Sequence, residues 1–413
     1  MSLVSVEDAR SRILADAETV EERESVRLAD AAGRILAEDL VARRSQPPFS
    51  ASAMDGYAVR AADVETTPVE LTIIGQAPAG HRFEGSVNSG ETVRIFTGAP
   101  LPDGADTIVI QENTETLGPD RVRINQGASK GVYIRPEGLD FAAGDVVLQT
   151  GDTLDAGRVT VAASMNYPSL TVRRRPHVAI LATGDELVPP GSDPKADQII
   201  ASNGFGVAAI AQADGATALD LGIAVDTRAS IEEAIDQTLQ SGADILVTLG
   251  GASVGDHDLV QETLVARGME LDFWQIAMRP GKPLMYGRLE HLHVLGFPGN
   301  PVSSLVCSHL FLRPLIARLS GNAAPDLERP AVLGKDLPAN DRREDYLRSK
   351  IERGPDGDLI ALPFDRQDSS MTRVFAQSDC LTIRAPFAEP AKKGDPCRVI
   401  LLRETVPGKP PLQ

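Results

Sequence analysis

ADILVTLGGASVGDHDLVQETLVARG, residues 243–268, decides the fold. ILVTL is an unbroken apolar run of strand length, and HDLVQETLVARG reads as a helix. The turn between them holds Gly250, Gly251 and Gly255. An apolar run without alternation suits a strand buried on both faces, as in a parallel sheet covered by helices. The same unit recurs on either side. HVAILAT (177–183) is a strand, GDELVPPG (184–191) a loop and SNGFGVAAIAQADG (202–215) a helix. ATALDLGIAVD (216–226) is a strand and SIEEAIDQTLQSG (230–242) a helix. MELDFWQIAM (269–278) and HLHVLGF (291–297) are further strands, and PVSSLVCSHLFLRPLIARLSG (301–321) is a long helix opened by proline. This alternation predicts a parallel α/β domain over 177–327.

Outside that domain the texture changes. Residues 1–45 read as helical, with Val6, Ala9, Ile13 and Leu14 on one face, and join 146–176 in a linking domain. QPPFSASAMDGYAV (46–59) ends the pattern. Short extended segments at 69–74, 92–96, 107–111 and 145–148, separated by Gly and Pro turns, predict a β-rich module over 46–145. CLTIRAP and PCRVILL place a small β domain, a barrel, at 328–413. The fold class expected is multidomain, α/β plus β. At roughly 150 residues per domain, 413 residues suit about three domains.

A formal charge of −17 argues against broad nucleic-acid binding, which needs a basic face. Residues 1–30 are too charged for a secretory core, and no apolar run is read as reaching the roughly 18–20 residues of a membrane span. Cys307, Cys380 and Cys397 are odd in number and far apart, so neither a disulfide framework nor zinc spacing is visible. A reducing cytoplasm is the expected location.

Ligands of open α/β sheets sit beyond the carboxyl ends of the strands. That rule selects Thr183–Glu186, Asp226–Arg228, 250–258, Arg279–Lys282 and Pro298–Pro301, and the expectation is that all five loops open on one rim. Gly250, Gly251 and Gly255 would let backbone amides approach an anion, with Ser253 adding a hydroxyl. The same residues also read as an ordinary strand–turn–helix. Glu186, Asp226 and Asp258 converge from three strands, and hard carboxylate oxygens beside phosphates point to Mg²⁺. Taken singly, each could instead cap a helix. Arg279 and Lys282 are the local cations that an acidic protein needs for an anionic substrate, or else a solvated turn. Asp55-Gly56 and Thr97-Gly98 read as compact turns, and Arg135 and Asp140 are equally ambiguous. His257 is read as rim, and Phe273 and Trp274 as core.

MDGYAV (54–59), IFTGAPLPDGADTIV (95–109), LATGDEL (181–187), GGASVGDHD (250–258), RPGKP (279–283) and FPGNPVS (297–303) resemble, in order and spacing, the MoeA/gephyrin E-domain molybdotransferases. The resemblance runs over nearly the whole chain. It implies a MogA-like molybdopterin-binding α/β domain and an elongated homodimer, with the active site between that domain and the partner's β module. It further implies insertion of molybdate into adenylylated molybdopterin with release of AMP, and a divalent metal, Mg²⁺, held by Glu186, Asp226 and Asp258. By position, Asp55, Asp140, Glu186, Asp226 and Asp258 would be catalytic. Thr97, Arg135, Pro298, Asn300, Pro301, Arg348 and Ser369 would join the glycine loop, Arg279 and Lys282 in binding substrate. Position 279 is often Lys in the family and is Arg here, and position 275, which can be Lys, is Gln. An adenylyltransferase and molybdoenzyme acceptors are the implied partners. The alternatives are a tungstate-specific paralogue and a molybdopterin-binding scaffold.

Overall fold

The computed structural model describes residues 3–251, 259–323, 326–355 and 357–403. The chain forms two compact units, one of Met1–Arg23 with Arg173–Gln413 and one of Glu24–Val172.

In the first unit, alternate side chains of the central strands point to opposite faces, and both faces are apolar. Val178, Ile180, Val247 and Leu249 pack under Val207, Val302, Phe311 and Leu315. Ala179, Leu181 and Leu246 pack under Ile231, Ile235, Val260 and Leu264. Each Val, Leu, Ile or Phe among them contributes about 1.5–3 kcal/mol by leaving water. The six strands run in the order Thr217–Ala224, His177–Thr183, Ile245–Leu249, Leu292–Phe297, Met285–Leu289, Glu270–Phe273. The first four are parallel. Met285–Leu289 runs antiparallel to both its neighbours, so the sheet is mixed at this end, where a parallel one was expected. The cause is a tight hairpin after Leu289, turned by Glu290 at φ 53°. Thr217–Ala224 lies at the edge, and its register slips opposite Ile180–Ala182. There Gly222 adopts φ 77°, and its N–H donates to Asp220 Oδ1 at 2.9 Å.

The expected strand 269–278 is two elements. Glu270–Phe273 belongs to this sheet, whereas Met278–Arg279 pairs in parallel with Glu344–Arg353, placing Arg279 opposite Asp345. That second sheet closes on itself. Glu344–Arg353 pairs with both Leu359–Pro363 and Cys380–Arg384, and Glu328–Leu333 and Pro396–Leu401 complete a five-stranded barrel around Ala331, Ile351, Ala361 and Val399. The small β domain is therefore as expected.

The helical run Pro301–Ser320 is long and apolar enough by composition to cross a membrane, against the expectation that no run would be. It is 72% buried inside this unit, as a core helix should be. Arg313 within it forks onto Asp214, and Gly321 stops it in the left-handed conformation.

The N-terminal expectation needs correction. Among the described residues of this stretch only Val6–Ala15 is α-helical, and Val6, Ala9 and Ile13 pack into the α/β core, with Arg12 paired to Asp272 at 3.1 Å. Beyond it the chain forms the strands Arg23–Arg27 and Leu40–Val41, and Gly33 at φ 74° interrupts any helix.

The second unit has one core of Leu36, Leu40, Leu154, Met165 and Val172 around the helix Ala156–Ser164. Its six-stranded sheet, with Gly56–Val59, Glu91–Ile95 and Val69–Ala77 at the centre, carries Val93, Ile95 and Ile108 on one face and Val59, Leu71 and Val122 on the other.

Candidate active site

Beyond the carboxyl ends of the parallel strands lies a cleft of about 840 Å³. Glu186, Asp226, Gly250, Gly251, Asn300 and Pro301 all border it, so six of the expected residues are gathered there. Gly184 is at φ 147°, and a Cβ on it would stand 2.4 Å from a carboxylate oxygen of Glu186. The acid therefore folds back over bare backbone. Asp226 follows the neighbouring strand, and its N–H donates to Asp185 Oδ1 at 3.0 Å. Its carboxyl is pushed above the usual range, first by partial burial and then by the charges of Asp185 and Glu186.

Gly250 and Gly251 take φ 99° and 65°, and the Gly250 N–H donates to Phe297 O at 3.1 Å. A Cβ on Gly251 would meet Val260 Cγ2 at 2.3 Å, so the turn lies tight against the following helix. The other wall is set by Asn203, whose Nδ2 donates to Gly299 O at 2.7 Å, and by Pro301 at the start of its helix. Ser253, Gly255 and Asp258 lie outside the described residues. Among the described residues no three metal-ligating side chains converge, so Glu186 and Asp226 are the part of the expected metal triad that can be placed.

Other expectations are moved. Pro298 is buried. Ser369 meets the helix through its carbonyl, which accepts Val302 N–H at 3.0 Å, and it is Ser370 that borders the cleft. Arg279 is not on this rim. Its Nε donates to Asp345 Oδ1 at 2.7 Å and its Nη2 to Asp345 Oδ2, while Asn340 and Asp341 accept at 3.2 and 3.3 Å. Strand pairing with the barrel has pulled it from the α/β sheet. Lys282 does not border the cleft either, and its carbonyl accepts the N–H groups of Ile276 and Leu284 at 3.0 Å.

Arg279 instead lines a second cavity of about 500 Å³ in the barrel, together with Arg348 and Arg384. Arg348 is only 2% exposed. Its guanidinium donates to the carbonyls of Tyr346 and Gln367, its Nε has no partner among the described residues, and burial lowers its pKa to about 10.

In the second unit one stretch organises four expected residues. Gln46 O accepts Asp140 N–H at 2.9 Å, and Ala51 pairs with Arg135. Ser52 exchanges backbone bonds with Gly98 and Ala99. Asp55 Oδ1 accepts both the N–H and the hydroxyl of Thr97 at 2.8 Å, which holds its carboxyl below the usual range. The side chains of Arg135 and Asp140 are exposed.

Thr183, selected from sequence only as the end of its strand, and Asn203, which sequence reasoning passed over, also border the cleft. Their signal was position alone, at the end of a strand and the start of a helix.

Residues 4–166 match the MoeA N-terminal region (domain I and II), 179–318 a family described as a probable molybdopterin binding domain, and 330–402 the MoeA C-terminal region (domain IV). The chain is 33% identical to a molybdopterin molybdenumtransferase of Haemophilus influenzae, over 92% of this chain and 94% of that protein. It is 32% identical to one of Bacillus subtilis, over 93% and 90%. The crystal structure of a molybdopterin biosynthesis MoeA protein from Pyrococcus horikoshii is similar over 97% of this chain and 100% of that one, with a TM-score of 0.84 at 29% identity.

Proposed function

Since the chain belongs to the MoeA family of molybdopterin molybdenumtransferases, we propose that it inserts molybdate into adenylylated molybdopterin, giving molybdenum cofactor and AMP. The observation that carries this reading is the cleft, bordered by a bare glycine turn and by two carboxylates, Glu186 and Asp226. Such a cleft suits a phosphate-bearing ligand accompanied by a divalent cation. Glu186 and Asp226 would hold Mg²⁺, whose charge would polarise the scissile phosphoryl group. Gly250 and Gly251 let backbone come close to the phosphate, and the wall fixed by Asn203 and Pro301 orients the ligand. Arg348, buried with no carboxylate bonded to it among the described residues, is suited to an oxyanion, and the pterin itself supplies the sulfur chemistry. Asp55, Thr97, Arg135 and Asp140 serve the same reaction in a homodimer. We place that dimer in the cytoplasm, between an adenylyltransferase and the acceptor molybdoenzymes.

Purified protein, adenylylated molybdopterin, Mg²⁺ and either molybdate or tungstate test the reading. AMP release coupled to metal-loaded cofactor is expected with molybdate. No release above the rate without protein would overturn the assignment, and release with tungstate alone would make it a tungsten enzyme.

A further inference from the structure

Thr183 ends the strand His177–Thr183 and is 5% exposed. It borders the cleft, yet its hydroxyl has no hydrogen-bond partner among the described residues. Buried hydroxyls are ordinarily bonded, so an orphan needs a reason. The fold does not supply one, because a β-branched hydrocarbon would fill the same strand position equally well. The surroundings do. A Cβ on Gly250 would stand 3.1 Å from Thr183 Oγ1, and one on Gly251 would stand 3.4 Å from it. Both glycines thus leave bare backbone where a side chain would crowd the hydroxyl. Glu186, lying over Gly184 next in the chain, already provides an acceptor, so the group this corner lacks is a neutral donor.

We propose that the Thr183 hydroxyl is a substrate-contact group of the cleft, donating a hydrogen bond to a phosphoryl oxygen of the adenylylated ligand beside Gly250 and Gly251. The assignment rests on the proposed function and deepens it. Thr248 makes an internal control. It is 1% exposed on the neighbouring strand, its hydroxyl is equally unpaired, and it does not border the cleft.

The test compares Thr183→Val, Thr183→Ser and Thr248→Val in the full chain. It reads the Kd for AMP with Mg²⁺ by calorimetry, KM and kcat for metal insertion, and the melting temperature. Thr183→Val should weaken AMP about 10- to 100-fold and raise KM, with melting unchanged or raised because an unpaired buried hydroxyl has gone. Thr183→Ser should keep AMP affinity near wild type, and Thr248→Val should leave it unchanged. Should Thr183→Val melt early, Thr183→Ala, which asks less of the packing, must show the same loss of AMP. Wild-type affinity in Thr183→Val, or equal losses in the Val and Ser variants, overturns the contact alone. If the wild-type protein binds neither AMP nor adenylylated molybdopterin, the functional reading falls and the contact with it.

Discussion

Arg279 has four acceptor contacts around one guanidinium, and that fixes what its replacement will do. The Asp345 carboxylate is 7% exposed, so Arg279→Ala would strand a buried charge. Breaking a buried pair costs about 3–5 kcal/mol, and the 46% exposure of the Arg279 side chain reduces this to about 2 kcal/mol. Denaturant unfolding should show that loss, with Arg279→Lys, which keeps charge but not the fork, losing about half as much. The loop position alone suggested a cation free for substrate; strand pairing with Asp345 makes it a structural tie, and a stable Arg279→Ala protein would refute this. Asp226 behaves oppositely. Its folded pKa is raised, so the folded chain holds the proton more tightly, and the stabilisation present at acid pH is lost as pH rises through that value. At neutral pH without metal, Asp226→Asn should therefore melt higher than wild type while binding Mg²⁺ more weakly. Melting curves with and without Mg²⁺ check both, and an unchanged response to Mg²⁺ would remove Asp226 from the metal site.

Among the elements, the glycine turn carries the sharpest expectation. Gly251→Ala would impose a left-handed conformation on a side chain and drive its Cβ into Val260. A combined loss of about 2–4 kcal/mol is expected, with weaker AMP binding. Val260→Ala in the same protein should recover part of it by removing the opposing methyl groups, and failure to recover would place the strain elsewhere. How far each element was legible follows from its surroundings. His177–Thr183 was readable to the residue because both its faces are buried, which makes Val178–Ala182 an unbroken apolar run. Met285–Leu289 was missed because it follows the Arg279–Lys282 turn directly and reads as loop. The stretch after Ala15 was mistaken for helix because apolar residues such as Leu36 and Leu40 also fall at helical spacing, while Gly33 gives the only local veto. At the site, Glu186, Asp226 and the glycines could be placed by one rule about strand ends. Asp345 could not, since its tie to Arg279 spans 66 residues of sequence.

At the scale of the molecule, the homodimer reading makes a demand that no single variant tests. If the carboxylates of both units serve one reaction across subunits, Asp55→Ala and Asp226→Ala proteins should each be inactive and should complement when mixed. About half the wild-type turnover per mixed dimer is the ceiling, one intact site of each symmetric pair. Confirmed mixed dimers with no AMP release would end the shared-site reading. The edge strand Thr217–Ala224 bears on what such a protein does when crowded. An open strand edge is a template on which another chain can add hydrogen bonds, and growth along it leads to aggregates. Here the register slip, the left-handed Gly222 and the Asp220 carboxylate closing on its N–H use up the donor that a newcomer would need and bend the strand away from straight pairing. In the barrel five strands close on themselves, and Met278–Arg279 adds an edge only two residues long, too short to template growth. At these two places growth along an edge is opposed by the backbone itself, independently of the charge repulsion of a chain at −17.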